Sequence, residues 1–226
     1  MKRTALPALV VFDLAGTTVR DDGQVPAAFA AALSAHGIQV TLEQIAEVRG
    51  ASKKEAIRRF VPAGPEQARR VEEAHASFQT ELRRRYETGG ASPIDGAGNT
   101  FAWLRDRDVR IALNTGFDRT ITDLLLDALG WSSGVADAVV CGDDVPHGRP
   151  APDLILRSME RCGVEDVRKV VNVGDTVLDL LAAHRARVGL NVGVLSGAHG
   201  RAQLEASPHT HILHDVGELP SLFPFR

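Results

Sequence analysis

Cysteine is scarce in this chain, and so is everything that would send it to a membrane or to nucleic acid. The two cysteines, Cys141 and Cys162, lie in different segments and form no metal-spaced pair. They read as structural thiols in a reducing, cytoplasmic compartment. No apolar run approaches the roughly 20 residues needed to span a bilayer, so no membrane association is expected. The net charge of -3 leaves no cationic surplus for a phosphate backbone, which argues against nucleic acid as a partner. No G-x-G-x-x-G follows the first apolar run, which sets aside a dinucleotide-binding oxidoreductase. There is no internal repeat and no low-complexity tract. The opening "MKRTALPALVVFDLAG" sets a basic pair before an apolar run, the outline of a signal peptide. The run is short, however, and Asp13 and Gly16 stand where a cleavage region would be, so it reads as a first core strand.

What is present is ordinary for a globular protein. The chain has 226 residues, 44% hydrophobic and 24% charged, enough for one α/β domain or a core with a small insertion. β-Branched apolar runs recur at 9–14, 109–116, 136–142, 168–175 and 189–195, with helical patterns at 119–130, 152–162 and 176–187 between them. Strands alternating with helices imply βαβ units and a parallel sheet. A short strand near 210–214 and a helix near 216–223 are expected to finish the domain.

Residues 20–92 contain no convincing strand. Helical patterns cover 26–37, 41–48, 52–60 and 65–87. Thr41 with Gln44, and Ser52 with Glu55, have the spacing of capping boxes; Pro65 suits a first helical turn and Gly37 a C-terminal cap. The predicted architecture is α/β: a Rossmann-like parallel-sheet core from 1–19 and 93–226, with an all-helical unit, 20–92, inserted after the first strand.

In an open parallel sheet, ligands bind beyond the carboxyl ends of the strands. Asp13 ends the first run, Thr115 and Gly116 end the second, and Asp175 ends the fourth, with Asp179 one helical turn later. Arg149 lies in the loop "HGRPAPDL". Singly, each has a plain structural reading: Asp13 and Asp175 as helix caps, Thr115 bonding local backbone, Arg149 and Asp179 as surface charges. Together, two strand-end acids, a hydroxyl and a cation read as one catalytic site.

This order resembles the haloacid dehalogenase superfamily of aspartyl-nucleophile hydrolases, over nearly the whole chain. The resemblance implies a mobile cap after the first strand, Mg²⁺ as cofactor and a small phosphorylated or phosphonate substrate. Carried over, Asp13 is the nucleophile that accepts a phosphoryl group, and Thr115 and the Gly116 amide hold phosphoryl oxygens. Arg149 takes the place of the usual lysine. Asp13, Asp175 and the Ala15 carbonyl ligate Mg²⁺, Asp179 supports them from behind, and Thr17 is assigned to substrate binding. The oligomeric state stays open, a homodimer included.

Most phosphatases of this superfamily carry a second Asp two residues after the nucleophile, to protonate an alkoxide leaving group; here that position is Ala15. "DLAGTTV" together with "GRPAP" resembles the phosphonatase branch, with "SPIDG" (92–96) similar to its second cap hinge. That branch breaks a C–P bond, and a cap lysine forms an imine with the substrate aldehyde to take up the electrons, so no acid beside the nucleophile is needed. "RGASKKEAIRRF" (49–60) resembles the cap segment that carries this lysine and places it at Lys53. Nearby Arg49 and Lys54 would lower the Lys53 pKa. The plain reading is an exposed lysine in a first helical turn. Two positions depart from the branch: Ala56 replaces a histidine and Arg49 a methionine, and Arg49 is assigned to an additional anionic group on the substrate. Two other functions stay open: a phosphatase for small phosphoesters, and a binding protein that kept the fold without the chemistry.

Overall fold

The computed structural model describes residues 5–223. The basic pair Lys2 and Arg3, and the outermost residues of the expected core at 1–4 and 224–226, lie outside the described residues. Six strands form one parallel sheet: β1 (Leu9–Asp13), β2 (Arg110–Asn114), β3 (Ala138–Val140), β4 (Val170–Gly174), β5 (Leu190–Val194) and β6 (His211–Leu213). Their order is β3-β2-β1-β4-β5-β6. β1 and β4 are buried along their full length, which is why their sequences, LVVFD and VVNVG, hardly alternate. The chain builds β1, β2 and β3 outward on one side, then crosses back to set β4 on the other flank of β1. The reversal makes β1/β4 the switch point, where a crevice opens at the strand ends. Asp13 ends β1 and Asp175 follows β4, so both acids fall at that crevice.

Helices α1 (Gln24–Ala35), α2 (Leu42–Glu47), α3 (Lys53–Phe60) and α4 (Gln67–Gly89) follow β1 with no strand of the sheet among them. In α1 the buried residues Val25, Ala28, Phe29, Ala32 and Leu33 follow the i, i+3, i+4, i+7, i+8 spacing of one helix face. That face packs on Val71, Ala74, Phe78 and Leu82 of α4, with Phe29 and Phe78 edge to face at 6.1 Å. Phe78→Ala would cost about 3–5 kcal/mol. The two links to the core run side by side: Arg20 N–H donates to Ser92 O at 2.9 Å, and Ile94 N–H to Thr18 O at 2.8 Å.

The remaining helices are α5 (Ala97–Arg105), α6 (Arg119–Leu129), α7 (Asp153–Arg161), α8 (Val177–Ala186) and the short α9 (Arg201–Glu205). A 3-10 turn at Val216–Leu222, with Pro220 inside it, stands where a closing helix was expected. The sequence reading had no helix at α5 or α9. The Thr41 capping box forms with both of its bonds. Ser52 occupies the N-cap of α3 but makes no side-chain cap bond. Pro65 precedes α4, whose N-cap is Glu66, so it is not in the first turn. Cys141 and Cys162 are free and buried, and burial pushes their thiols up to about 12 and about 11. Among the described residues no helix is long and apolar enough to cross a membrane.

Candidate active site

The crevice over β1 and β4 encloses a cavity of about 40 Å³. Its floor is the core: Asp13, Ala15, Thr115, Gly116, Arg149 and Asp175. Its roof is the loop between α2 and α3, which brings Arg49 and Gly50, and the first residue of α3, Lys53. The approach is close because two glycines meet backbone and side chain without a Cβ between. A Cβ on Gly116 would stand 2.5 Å from the Ala51 carbonyl, and one on Gly50 would collide with the Thr176 hydroxyl. The Lys53 N–H donates across the gap to Gly116 O at 3.3 Å. A larger hollow of about 450 Å³ lies at the other end of the sheet, beside Arg110 and Asp137, and gathers no comparable set of groups.

The floor is tightly cross-linked. Arg149 Nη1 contacts Asp13 Oδ1 at 2.7 Å, its Nε contacts Asp179 Oδ1 at 2.9 Å, and its Nη2 donates to Asn114 Oδ1. Asp179 does not line the cavity; it lies behind Arg149 and closes the capping box of α8, accepting from the Thr176 N–H at 3.0 Å and also from its hydroxyl at 2.6 Å. Asp175 accepts at both oxygens, from Thr17 Oγ1 at 3.1 Å and from the Ala198 amide at 2.7 Å. Here Thr17 departs from expectation. It is fully buried and holds Asp175, because the tight turn through Gly16 tucks it beneath the second acid instead of presenting it to a ligand. The Thr115 hydroxyl accepts from Phe117 N–H at 3.1 Å, which leaves its own hydrogen to donate. The Gly116 N–H has no hydrogen-bond partner among the described residues.

Charge is unevenly balanced on this floor. Burial, reinforced by Asp179 and Asp175 and opposed by Arg149, raises the Asp13 carboxyl to about 7. Burial and Asp179 raise Asp175 to about 6. Burial works against the Arg149 charge, but Asp179 and Asp13 outweigh it and raise its pKa. Three carboxylates thus face one guanidinium, a cluster that a divalent cation would offset. Among the described residues no three His, Cys, Asp or Glu side chains converge on a metal position. Mg²⁺ needs no such cage: it favours one or two carboxylates with carbonyl oxygen and retained water. Asp13, Asp175 and the Ala15 carbonyl fit that donor set.

The roof is differently built. Lys53 is buried, its Nζ 3.3 Å from Ala51 O and 5.1 Å from the Phe117 ring centre. Burial first, then Arg49, lowers its pKa to about 8, so a usable fraction is neutral amine near neutral pH. Lys54, one residue on, is half exposed and pairs with Glu72 at 2.8 Å. The plain reading of Lys53 as an exposed surface lysine therefore does not hold. Arg49 is held by buried Asp21. Sequence reasoning missed Asp21, which read as turn, and Asn114, which sits one residue before Thr115; each meets its arginine from a distant part of the sequence.

Comparison with known proteins shows the family. A model of the haloacid dehalogenase-like hydrolases matches residues 7–187. The phosphonoacetaldehyde hydrolase of Hahella chejuensis is 34% identical over 181 residues, 74% of this chain and 61% of that protein, so the match spans under two thirds of the relative's length. The phosphonoacetaldehyde hydrolase of Bacillus cereus is 28% identical over 84% of this chain and 76% of its own. A phosphonoacetaldehyde hydrolase-like protein from Oleispira antarctica shares the fold, with a TM-score of 0.84 at 22% identity, over 98% of this chain and 94% of its own. By its family match and its fold, the chain belongs to the haloacid dehalogenase-like hydrolases.

Proposed function

We propose that this protein is a Mg²⁺-dependent hydrolase that cleaves the C–P bond of a small carbonyl phosphonate, phosphonoacetaldehyde or a relative. The observation that carries the reading is Lys53: a buried amine with a pKa lowered to about 8, on the same cavity as Asp13, beside an Ala15 that cannot serve as an acid. The Lys53 amine condenses with the substrate carbonyl and releases water, giving an imine that is then protonated. Asp13 attacks phosphorus while Thr115, the Gly116 amide and Arg149 hold the phosphoryl oxygens. The C–P electron pair moves onto carbon and toward the iminium nitrogen, leaving an enamine and an aspartyl phosphate. The enamine takes a proton at carbon, water frees Lys53, and a second water releases phosphate from Asp13. When bound, Mg²⁺ supplies the positive charge that lets a carboxylate approach a phosphoryl dianion.

The helical unit, residues 20–92, acts in this reading as a cap. The cavity of about 40 Å³ is narrow and closed over by Arg49, Gly50 and Lys53. A phosphonate enters only if the roof lifts, and the paired links at 19–20 and 92–94 are where the backbone can turn. Closure then excludes water and brings Lys53 to Asp13. The reading is tested by phosphate release from phosphonoacetaldehyde beside a panel of phosphoesters, with and without Mg²⁺. It predicts Mg²⁺-dependent release from the phosphonate; release from esters alone would give a phosphatase instead.

A further inference from the structure

We infer that the preferred substrate carries a carboxylate on its carbonyl carbon, making it a 3-phosphono-2-oxo acid whose carboxylate is bound by Arg49. This rests on the reading of Lys53 as the imine-forming residue. Among the described residues the Arg49 side chain makes one hydrogen bond, from Nη2 to Asp21 Oδ2, which leaves Nε and Nη1 without a protein partner. Asp21 is itself fixed: its Oδ1 accepts from the Gly23 and Val25 amides at 3.2 and 3.1 Å, at the start of α1. The guanidinium is therefore held in place by one edge and open at the other, a rigid fork of the shape that takes a carboxylate.

Its position decides what it can touch. Arg49 and Lys53 line the catalytic cavity together, and they also line the adjoining recess of about 10 Å³. The carbon joined to Lys53 Nζ in the imine bears two substituents: the CH₂ that leads to phosphorus, and one more. With CH₂–P directed to Asp13, the other substituent falls on the Arg49 side. In an aldehyde it is hydrogen and the open donors of Arg49 meet nothing. In a methyl ketone it would cover these cationic donors with an apolar group and strip them of water, which costs free energy. A carboxylate satisfies them, with the protonated imine as a second cation beside it. A tether between Asp21 and the roof explains one edge of Arg49 but not why a second cation stands next to Lys53. The reaction balances as before: with one net water the products are phosphate and the 2-oxo acid whose C3 has become a methyl group.

Three phosphonates that differ only at the carbonyl substituent test this: phosphonoacetaldehyde, 2-oxopropylphosphonate and 3-phosphonopyruvate, each with Mg²⁺, on wild type and Arg49→Met. The expected result is the highest kcat/KM for 3-phosphonopyruvate, roughly 10- to 100-fold above the aldehyde. Arg49→Met should raise KM for the oxo acid by that factor beyond whatever change it causes with the aldehyde, which shares only the effect of Arg49 on Lys53. A preference for the aldehyde overturns the inference, as does a preference for the methyl ketone, which would assign the substituent to the apolar recess of Val25, Phe29, Ile45, Val48 and Ala56. Equal loss on all three substrates also overturns it, since Arg49 would then act only through Lys53. The wild-type ranking decides the matter on its own if Arg49→Met does not fold. Borohydride trapping separates the two levels. An adduct on Lys53 with the aldehyde but not with the oxo acid removes this inference alone. No adduct with any of the three removes the imine reading, and this inference with it.

Discussion

The floor and the roof of the cavity hold their charges in different ways. On the floor, Arg149 is engaged by Asp13, Asp179 and Asn114, and Asp175 by Thr17 and Ala198. Arg149 and Asp175 are thus each fixed from two or more sides before any ligand arrives. On the roof, Lys53 has one long bond to a carbonyl and Arg49 one bond to Asp21. Groups so sparsely engaged keep donors and lone pairs for a substrate. The contrast separates two tasks: a preorganised floor suits a phosphoryl reaction common to many substrates, while a lightly held roof selects which carbon skeleton is accepted.

The comparison breaks first at the nucleophile. Asp13→Asn, nearly isosteric, should lower phosphate release by roughly 10⁴-fold or more while circular dichroism stays unchanged. Near-wild-type turnover would remove the floor's proposed role. Arg149→Met leaves Asp13 and Asp179 buried without their cation, so the fold should lose about 3–5 kcal/mol. Thermal unfolding should show it as a drop of roughly 6–20 °C; an unchanged midpoint would mean the cross-linking of the floor is of little consequence. Lys53→Arg keeps the charge but cannot form an imine, so C–P cleavage should fall at least roughly 10²-fold. Phosphate binding by the floor, read by calorimetry, should not change; loss of both would mean that floor and roof are not separable.

How far these two regions were legible in the sequence follows the same division. Asp13, Thr115 and Asp175 could be picked out because each lies at or just past a strand end, where an apolar run stops at a polar residue. Their supports could not. Asp21 and Asn114 meet Arg49 and Arg149 across 28 and 35 residues, and neither sits in a local pattern that announces a buried partner. The bond from Thr17 to Asp175 was not legible, because sequence shows proximity to Asp13 and not the direction that the Gly16 turn gives the side chain. The six strands were readable from their β-branched runs, and the four inserted helices from their spacing. α5 was missed although Ala97, Thr100, Phe101 and Leu104 carry helical spacing, because it begins in "DGAGNT" and its N-cap Gly96 offers no side-chain bond. Ser52 takes the N-cap position of α3, as its spacing suggests, but without the side-chain bond.

The smallest expected effect lies in the pH dependence of the roof. Burial and Arg49 lower the Lys53 pKa from its ordinary value to about 8, so its proton leaves at a lower pH than usual. Trapping of an aldehyde by Lys53 should therefore rise about tenfold per unit as pH climbs toward 8, then level off. Arg49→Met removes a cation and frees Asp21; both changes favour the protonated amine, so the midpoint should move upward. A midpoint that stays put would mean that Arg49 does not act on Lys53 electrostatically.

The central claim is that a roof lysine and a floor carboxylate act on one substrate. Borohydride reduction in the presence of phosphonoacetaldehyde, followed by peptide mass mapping, tests it most directly. The account predicts inactivation with a covalent adduct on the cavity-lining Lys53 and none on the half-exposed, Glu72-paired Lys54. An unmodified Lys53 in an enzyme that still releases phosphate from the phosphonate would contradict it.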